Sequence, residues 1–296
     1  MKRPREVLGE VWGARGAALM GVLNVTPDSF YDGGRYASEP AALGRVDELI
    51  HDGADVIDIG GESSRPGSEP VPSGEQIRRI EGAVRYALER ARALVSIDTT
   101  RPEVAERMLE IGAHMINDIS CLSDPELAKV SARHGAMLIV MHSRGPMSKM
   151  KGFSKYPEDG YRDVVGEVRS ELRSAHERAL AAGMPARDVI WDPGLGFAKS
   201  ARQSFELLAR LEELTAEGVP IAVGPGRKSF IGSLDEAPAE KRLGGTIAAC
   251  LGAVERGARL LRVHDVAEVG QALRVARRIG SPQSSAPSPD RGHAEA

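Results

Sequence analysis

The sequence predicts an α/β fold, a (β/α)8 TIM barrel formed as a single domain. Three observations carry that expectation. Eight short β-branched runs alternate with longer amphipathic stretches along the whole chain, the pattern of a repeated strand-then-helix unit. The runs are continuously apolar, as strands buried on both faces of a parallel sheet are. The chain has 296 residues, 42% of them apolar, enough for one large core; barrels of this kind use about 250 residues. Strict alternation favours a closed barrel, with an open doubly wound sheet as the alternative, because closure is not written in a sequence.

The elements follow in order. Residues 1 to 16 read as a short lead-in. The first strand, Leu19–Val25, runs into a Gly- and Pro-rich loop from Thr26 to Gly34. A helix that ends at Gly53-Ala54 leads to the second strand, Val56–Gly60; glycine there tolerates the left-handed backbone that closes a helix. Another Gly- and Pro-rich loop, Gly60 to Gly67, comes next. Such loops can move and often cover a reacting centre. Ser73-Gly74-Glu75-Gln76 then has the form of a capping box. The third strand is Leu94–Asp98, followed by a second box, Thr100-Arg101-Pro102-Glu103, and a helix closed at Gly112-Ala113. The fourth strand, Met115–Ile119, precedes a third box at Ser123-Asp124-Pro125-Glu126, with Gly135-Ala136 ending that helix before the fifth strand, Met137–His142. Val189–Trp191 is the sixth strand. Gly218-Val219 and Gly257-Ala258 introduce the seventh and eighth, Ile221–Gly224 and Leu260–His264. The barrel is thus expected over residues 17–280. Residues 281–296, rich in Pro, Ser and Ala without apolar periodicity, are expected to form a disordered tail.

Composition excludes several function classes. A net charge of −3 offers no nucleic-acid surface. The longest apolar run, Ala136–Met141, is far short of the roughly 20 residues that span a bilayer. The basic start, Met1 to Arg5, is not followed by a hydrophobic segment, so no secretory signal is expected. Cys121 and Cys250 form neither a disulfide framework nor a multi-cysteine metal site, and they read as small buried side chains. The expectation is a reduced, cytoplasmic protein. The histidines lack the His-x-x-x-His spacing of a catalytic zinc. Gly224 to Ser229 and Gly194 to Ser200 lack the Gly-Lys pair and spacing of a phosphate-binding P-loop.

Active sites of such barrels lie at the C-terminal strand ends. There the polar residues collect: Asn24, Asp58, Asp98, Asn117, His142, Asp192, then Gly224 before Arg227-Lys228, and Arg262 with His264. Any one Asp or Asn reads equally well as a turn residue, but capping does not account for a polar group after almost every strand. The set divides by chemistry. Asp98, Asn117 and Asp192 offer acceptors and an amide, which suit a heterocycle carrying an amino group beside a ring N–H and a carbonyl. Arg65, Arg227, Lys228, Arg262 and His264 form a cationic set suited to phosphate oxygens. A flat polar ring joined to a phosphate-type anion would satisfy both. Lys228 as a Schiff-base lysine is the competing reading, and its arginine neighbour favours anion or carbonyl binding instead.

The residues also carry a family resemblance. Met20-Gly21-Val22-Leu23-Asn24-Val25-Thr26-Pro27-Asp28-Ser29-Phe30, with Asp32-Gly33-Gly34, closely resembles the first signature of the dihydropteroate synthases. The segment from Asp58 through Gly60-Gly61-Glu62-Ser63-Ser64-Arg65-Pro66-Gly67 resembles the second. Further matches follow in family order: Ser96-Ile97-Asp98-Thr99, Ile116-Asn117-Asp118-Ile119, Met141-His142-Ser143-Arg144-Gly145, Asp192-Pro193-Gly194-Leu195-Gly196-Phe197, Arg227-Lys228-Ser229-Phe230-Ile231-Gly232 and Arg262-Val263-His264-Asp265-Val266. Together they cover residues 18 to 275. The resemblance implies condensation of 6-hydroxymethyl-7,8-dihydropterin diphosphate with 4-aminobenzoate, giving 7,8-dihydropteroate and pyrophosphate. By position it implies that Asp98, Asn117, Asp192 and Lys228 hold the pterin, with Asp58 in the substrate-binding set. Asn24 would bind Mg²⁺ with the diphosphate, Arg65, Arg262 and His264 would grip its oxygens, and Ser64, Arg65, Pro66, Phe197 and Gly226 would surround the aminobenzoate. Asp98, Lys228 and Arg65 would be the catalytic set, and the family suggests a homodimer through late helices.

Three departures touch the amine side. Ser64 stands where many members have Thr, Gly226 replaces the usual Ser before Arg-Lys-Ser, and no Thr follows Arg144-Gly145. Two alternatives stay open at this point: a pterin-binding paralogue without synthase activity, and a methyltetrahydrofolate-binding domain of a corrinoid-linked methyltransferase.

Overall fold

The β-branched runs form strands, and the helix after each one returns the chain so that the next strand lies parallel to it. The computed structural model describes residues 2–26, 39–63, 67–90, 92–145, 147–150 and 152–280. The strands are β1 Ala18–Asn24, β2 Val56–Gly60, β3 Leu94–Asp98, β4 Met115–Asp118, β5 Met137–Met141, β6 Val189–Asp192, β7 Ala222–Val223 and β8 Leu260–Val263. None departs from its expected ends by more than one residue. All pairings are parallel, in the order β6-β5-β4-β3-β2-β1-β8-β7. The remaining seam, β6 against β7, is closed by a parallel bridge between Trp191 and Ile221, where the Trp191 N–H donates to Pro220 O at 2.9 Å. The sheet therefore closes on itself, and the open doubly wound alternative falls.

The helices are α1 Pro4–Arg15, α2 Glu39–His51, α3 Ser73–Arg90, α4 Pro102–Glu110, α5 Glu126–Arg133, α6 Val164–Ala181, α7 Ala201–Ala209, α8 Glu212–Thr215, α9 Ser229–Gly232, α10 Leu243–Glu255 and α11 Val266–Gly280. The five glycines expected to close helices all have positive φ, Gly112 the largest at 109°. The three expected capping boxes do not form. Pro102 starts α4 one residue later than the box requires, so Arg101 is the N-cap and Thr99 Oγ1, not Thr100, accepts from its N–H at 3.1 Å. At α5 the N-cap is Pro125, and Ser123 Oγ bonds Ser120 instead. In α3 Ser73 is already helical, its hydroxyl reaches Glu103, and Gln76 turns to Glu62 and Thr99. A box forms instead at α7: Gln203 N–H donates to Ser200 Oγ at 3.1 Å, and Ser200 N–H to Gln203 Oε1 at 2.8 Å.

Two apolar clusters make up the core. The larger lies between the strands and the outer helices, as Ile57, Ile59, Val95, Ile97, Leu138 and Val140 do. The smaller fills the barrel's lower interior with Met20, Val56, Leu94, Met115, Met137, Ile190 and Leu260. α1 closes it from below: Leu8 is fully buried there, and Val7, Val11 and Trp12 pack around it. The lead-in is thus a helical plug, held at its end by an ion pair of Arg15 with the buried Asp55, which also accepts from Leu19 N–H at 3.0 Å. The expected tail, residues 281–296, lies outside the described residues.

If α1 is an integral part of the core, Leu8→Ala leaves a cavity under the barrel and is expected to cost about 2–5 kcal/mol. Urea denaturation measures this; a loss under about 0.5 kcal/mol, the level of a surface substitution, would show a helix that merely rests on the barrel.

Candidate active site

In a parallel barrel, alternate residues of each strand point to the axis. The cross-strand pairs set which ones share a level: Asp58 pairs with Ser96, Asp98 with Asn117, and Met141 with Asp192. The inward positions are apolar near the strand starts and polar near the ends, so the polar residues meet at the open mouth. A cavity there is lined by Asn24, Asn117, Asp192, Lys228, Arg262 and His264, with Val22, Ile119, Met141, Phe153 and Phe197 as apolar walls.

Arg262 organises one side. Its Nε donates to Asp58 Oδ2 at 2.7 Å, and its Nη2 to Asp98 Oδ2 at 2.8 Å. Asp58 Oδ2 also accepts from Asn117 Nδ2 at 3.0 Å. Asp58 is fully buried and lines neither this cavity nor the adjoining groove, so it stands behind Arg262 and Asn117 rather than at the surface of the site. Asp98 lines the groove that opens beside the cavity above β3 and β4. Burial raises its carboxyl to about 7, opposed by Arg262 and reinforced by Asp58, Glu62 and Asp118. The same two carboxylates, Asp58 and Asp98, raise the Arg262 guanidinium against the opposite pull of burial.

Asp192 and Lys228 form the other side. Burial raises the Asp192 carboxyl, while Lys228 and its bond from Gly194 N–H at 2.7 Å hold it down. Lys228 is pulled down to about 8 by burial, with Asp192 opposing and Arg262 assisting. Its Nζ donates to Leu195 O at 2.8 Å and lies 4.5 Å from the centre of the Phe197 ring. That ring meets Phe153 edge-on at 5.0 Å. Phe153, from the long segment before α6, was invisible to sequence reasoning, since no local pattern marks a residue that arrives from 44 positions before Phe197.

The remaining expected residues separate. Asn24 and His264 both line the cavity. Burial first, then Arg262 and Arg45, pulls His264 down to about 3, so its imidazole is neutral. Gly226 lines the cavity, and a Cβ built on it would come no nearer than 3.5 Å to Val263 Cα, so a side chain fits there. Arg227 also lines the cavity, but its guanidinium turns away: it pairs with Asp265 at 2.8 and 2.6 Å and donates to Glu240 O at 2.7 Å, which makes it a brace for the β7 turn. His142 does not line the cavity; it is buried against Lys199 and Glu171. Ser64, Arg65 and Pro66 lie outside the described residues, as does most of the first loop.

A family model described as pterin binding enzyme matches residues 20–264. The chain is 42% identical over 267 residues to the dihydropteroate synthase of Synechocystis sp., which covers 90% of each chain. It also resembles the solved structure of a Xanthomonas albilineans dihydropteroate synthase with 4-aminobenzoic acid, at a TM-score of 0.81 and 39% identity, over 90% of this chain and 93% of that one. The same organism's enzyme in complex with 7,8-dihydropteroate matches at a TM-score of 0.78 and 37% identity, over 90% and 94% of the two chains.

Because the Asp98 carboxyl stands near 7 in the folded protein and at about 3.9 in an unfolded chain, the fold holds a proton there that the unfolded chain has released. The stability tied to this group is complete below about pH 4 and is lost as pH rises through about 7. Asp98→Asn removes the titration and keeps the shape. Its melting temperature relative to the parent is expected to climb between about pH 5 and pH 8 in thermal denaturation; a constant difference across that range contradicts the assignment.

Proposed function

Because the chain belongs to the pterin-binding enzyme family, we propose that it is a transferase of folate biosynthesis. It condenses 6-hydroxymethyl-7,8-dihydropterin diphosphate with 4-aminobenzoate to give 7,8-dihydropteroate and pyrophosphate. The observation that carries this reading is the polar mouth itself, where two carboxylates, an amide and a lysine meet above an apolar barrel. The 4-aminobenzoic acid and 7,8-dihydropteroate of the matched structures are one substrate and the product of this reaction.

Asp98, Asn117 and Asp192 bind the amino-pyrimidine edge of the pterin, since a carboxylate accepts paired N–H groups and an amide both donates and accepts. Lys228 supplies a donor for a ring acceptor. Arg262 and His264 face the diphosphate, with Arg65 completing that half. The amine lies between Phe197 and Gly226 with Ser64, in a wall that lacks the hydroxyl usual at Gly226. The bond from the pterin methylene carbon to the diphosphate breaks first, and the positive charge left on that carbon is favoured by Asp98. The aniline nitrogen, already nucleophilic, then bonds to the carbon and passes its proton to the released pyrophosphate.

Mg²⁺ fits this site in one way. Among the described residues no group of three His, Cys, Asp or Glu could hold a metal, but Asn24 offers one amide oxygen at the cavity wall. One protein oxygen suits an ion that takes its other ligands from substrate phosphates and water. When bound there it would neutralise charge on the diphosphate.

The reading places the enzyme in the cytoplasm as a homodimer. No described helix is long and apolar enough to cross a membrane. The dimer would form on α10 and α11, where Val275 and Ile279 are 55% and 74% exposed beside Leu243, Ile247 and Leu251.

Purified protein is expected to release pyrophosphate only with pterin diphosphate, 4-aminobenzoate and Mg²⁺ together. Pterin binding without release at high amine concentration would identify a non-catalytic paralogue, and binding of methyltetrahydrofolate alone would favour methyl transfer. Gly226→Ser is expected to fold normally and to lower the KM for 4-aminobenzoate by about 2- to 10-fold, the scale of one added neutral hydrogen bond; an unchanged KM would place the amine elsewhere.

A further inference from the structure

We propose that Lys199 is a positioning residue for the amine half of the reaction, fixing the loop between β6 and α7 that carries Phe197 to the cavity. The substrate named here rests on the function proposed above; the role of Lys199 in the loop rests on geometry alone. Lys199 is fully buried and does not line the cavity. A buried amine is costly unless its hydrogen bonds are made, and here they are made to the loop and to the end of β5. Its Nζ donates to Phe197 O at 2.9 Å and lies 2.8 Å from His142 Nδ1.

The acceptor is fixed in turn. Burial pulls His142 down to about 4, so the ring is neutral. Its bond to Glu171, together with Arg144, pulls that carboxyl down to about 2. Glu171 is therefore ionised and takes the Nε2–H at 3.0 Å, which leaves His142 Nδ1 as the acceptor for Lys199. Arg144 Nε holds the same carboxylate at 3.1 Å.

The neighbouring loop carbonyls are taken one by one. Leu195 O accepts from Lys228 Nζ at 2.8 Å, Gly196 O from Ser154 N–H at 3.0 Å, and Ala198 O from the Tyr161 hydroxyl at 2.9 Å. Ala198 stands at φ 48°, a conformation that a non-glycine residue keeps only when its surroundings impose it. Burial pulls the Lys199 ammonium to about 7, with Asp192 opposing and Lys228 assisting. Either protonation state keeps hydrogens for both bonds, so the tie persists across neutral pH. Loss of the tie frees Phe197 O and the ring that walls the cavity, while Asp98 and Asn117, on β3 and β4, stay in place.

Lys199→Met keeps the length and removes the donors. The KM for 4-aminobenzoate is expected to rise about tenfold or more, while that for the pterin diphosphate stays within about twofold, a split that general destabilisation would not produce. Amide hydrogen exchange across residues 194–199 is expected to accelerate. Tyr161→Phe removes only the hydroxyl on Ala198 O; it should show the same split at smaller size, and it carries the test if Lys199→Met does not fold. A parallel rise in both KM values, or no split in either variant, overturns the proposal. If the parent protein releases no pyrophosphate, the functional reading fails by itself, and the exchange measurement still decides the point: unchanged exchange shows that Lys199 does not hold the loop.

Discussion

In a closed ring of parallel strands the direction of each side chain is set by its parity along the strand, and the barrel has only one interior to receive them. Everything else in this protein depends on that constraint. Met20, Asn24, Val56, Asp58, Leu94 and Asp98 point inward because they sit an even number of residues apart on three paired strands. Apolar members of the series fill the lower interior, and polar ones reach the mouth. The lower end would open to water without a cover, and α1 supplies it through Leu8, Val7 and Trp12.

Polar groups crowded into a partly dry mouth change one another's chemistry. Arg262 bridges Asp58 and Asp98, yet burial still holds the Asp98 carboxyl near 7, and Lys228 falls to about 8. Both groups therefore stand close to neutrality, where a ligand that adds or removes one hydrogen bond can decide their charge. The same crowding works against stability, since burial disfavours the charged form of the Asp98 carboxyl, which Arg262 only partly offsets.

The loop after β6 meets a different demand. It must bring Phe197 to the cavity without strand pairing, and it passes so close to β5 that a Cβ on Gly194, at φ 67°, would lie 2.0 Å from His142 O. Only glycine fits there. The carbonyls beyond it are held by Lys228, Lys199 and Tyr161, so a lysine at the cavity and a lysine outside it secure the same segment from two sides.

Strand positions were legible in the sequence because they depend on local composition: a run such as Leu94–Asp98 must be buried on both faces wherever it lies. The polar strand ends were legible for the same reason, and so was their division into acceptors and cations. Helix starts were not, because Pro102 and Pro125 shifted the frame that the Thr100 and Ser123 boxes would need. Side-chain chemistry alone put Arg262 and Arg227 in one cationic set, and only the family resemblance set Arg262 apart. Tertiary structure decided that Arg262 sits between Asp58 and Asp98 while Arg227 braces Asp265. The reason is physical: a charged side chain takes the partner that lies within a few ångströms after the ring closes, and that neighbour comes from another strand or strand end, more than a hundred residues away for Arg262 and thirty-eight for Arg227.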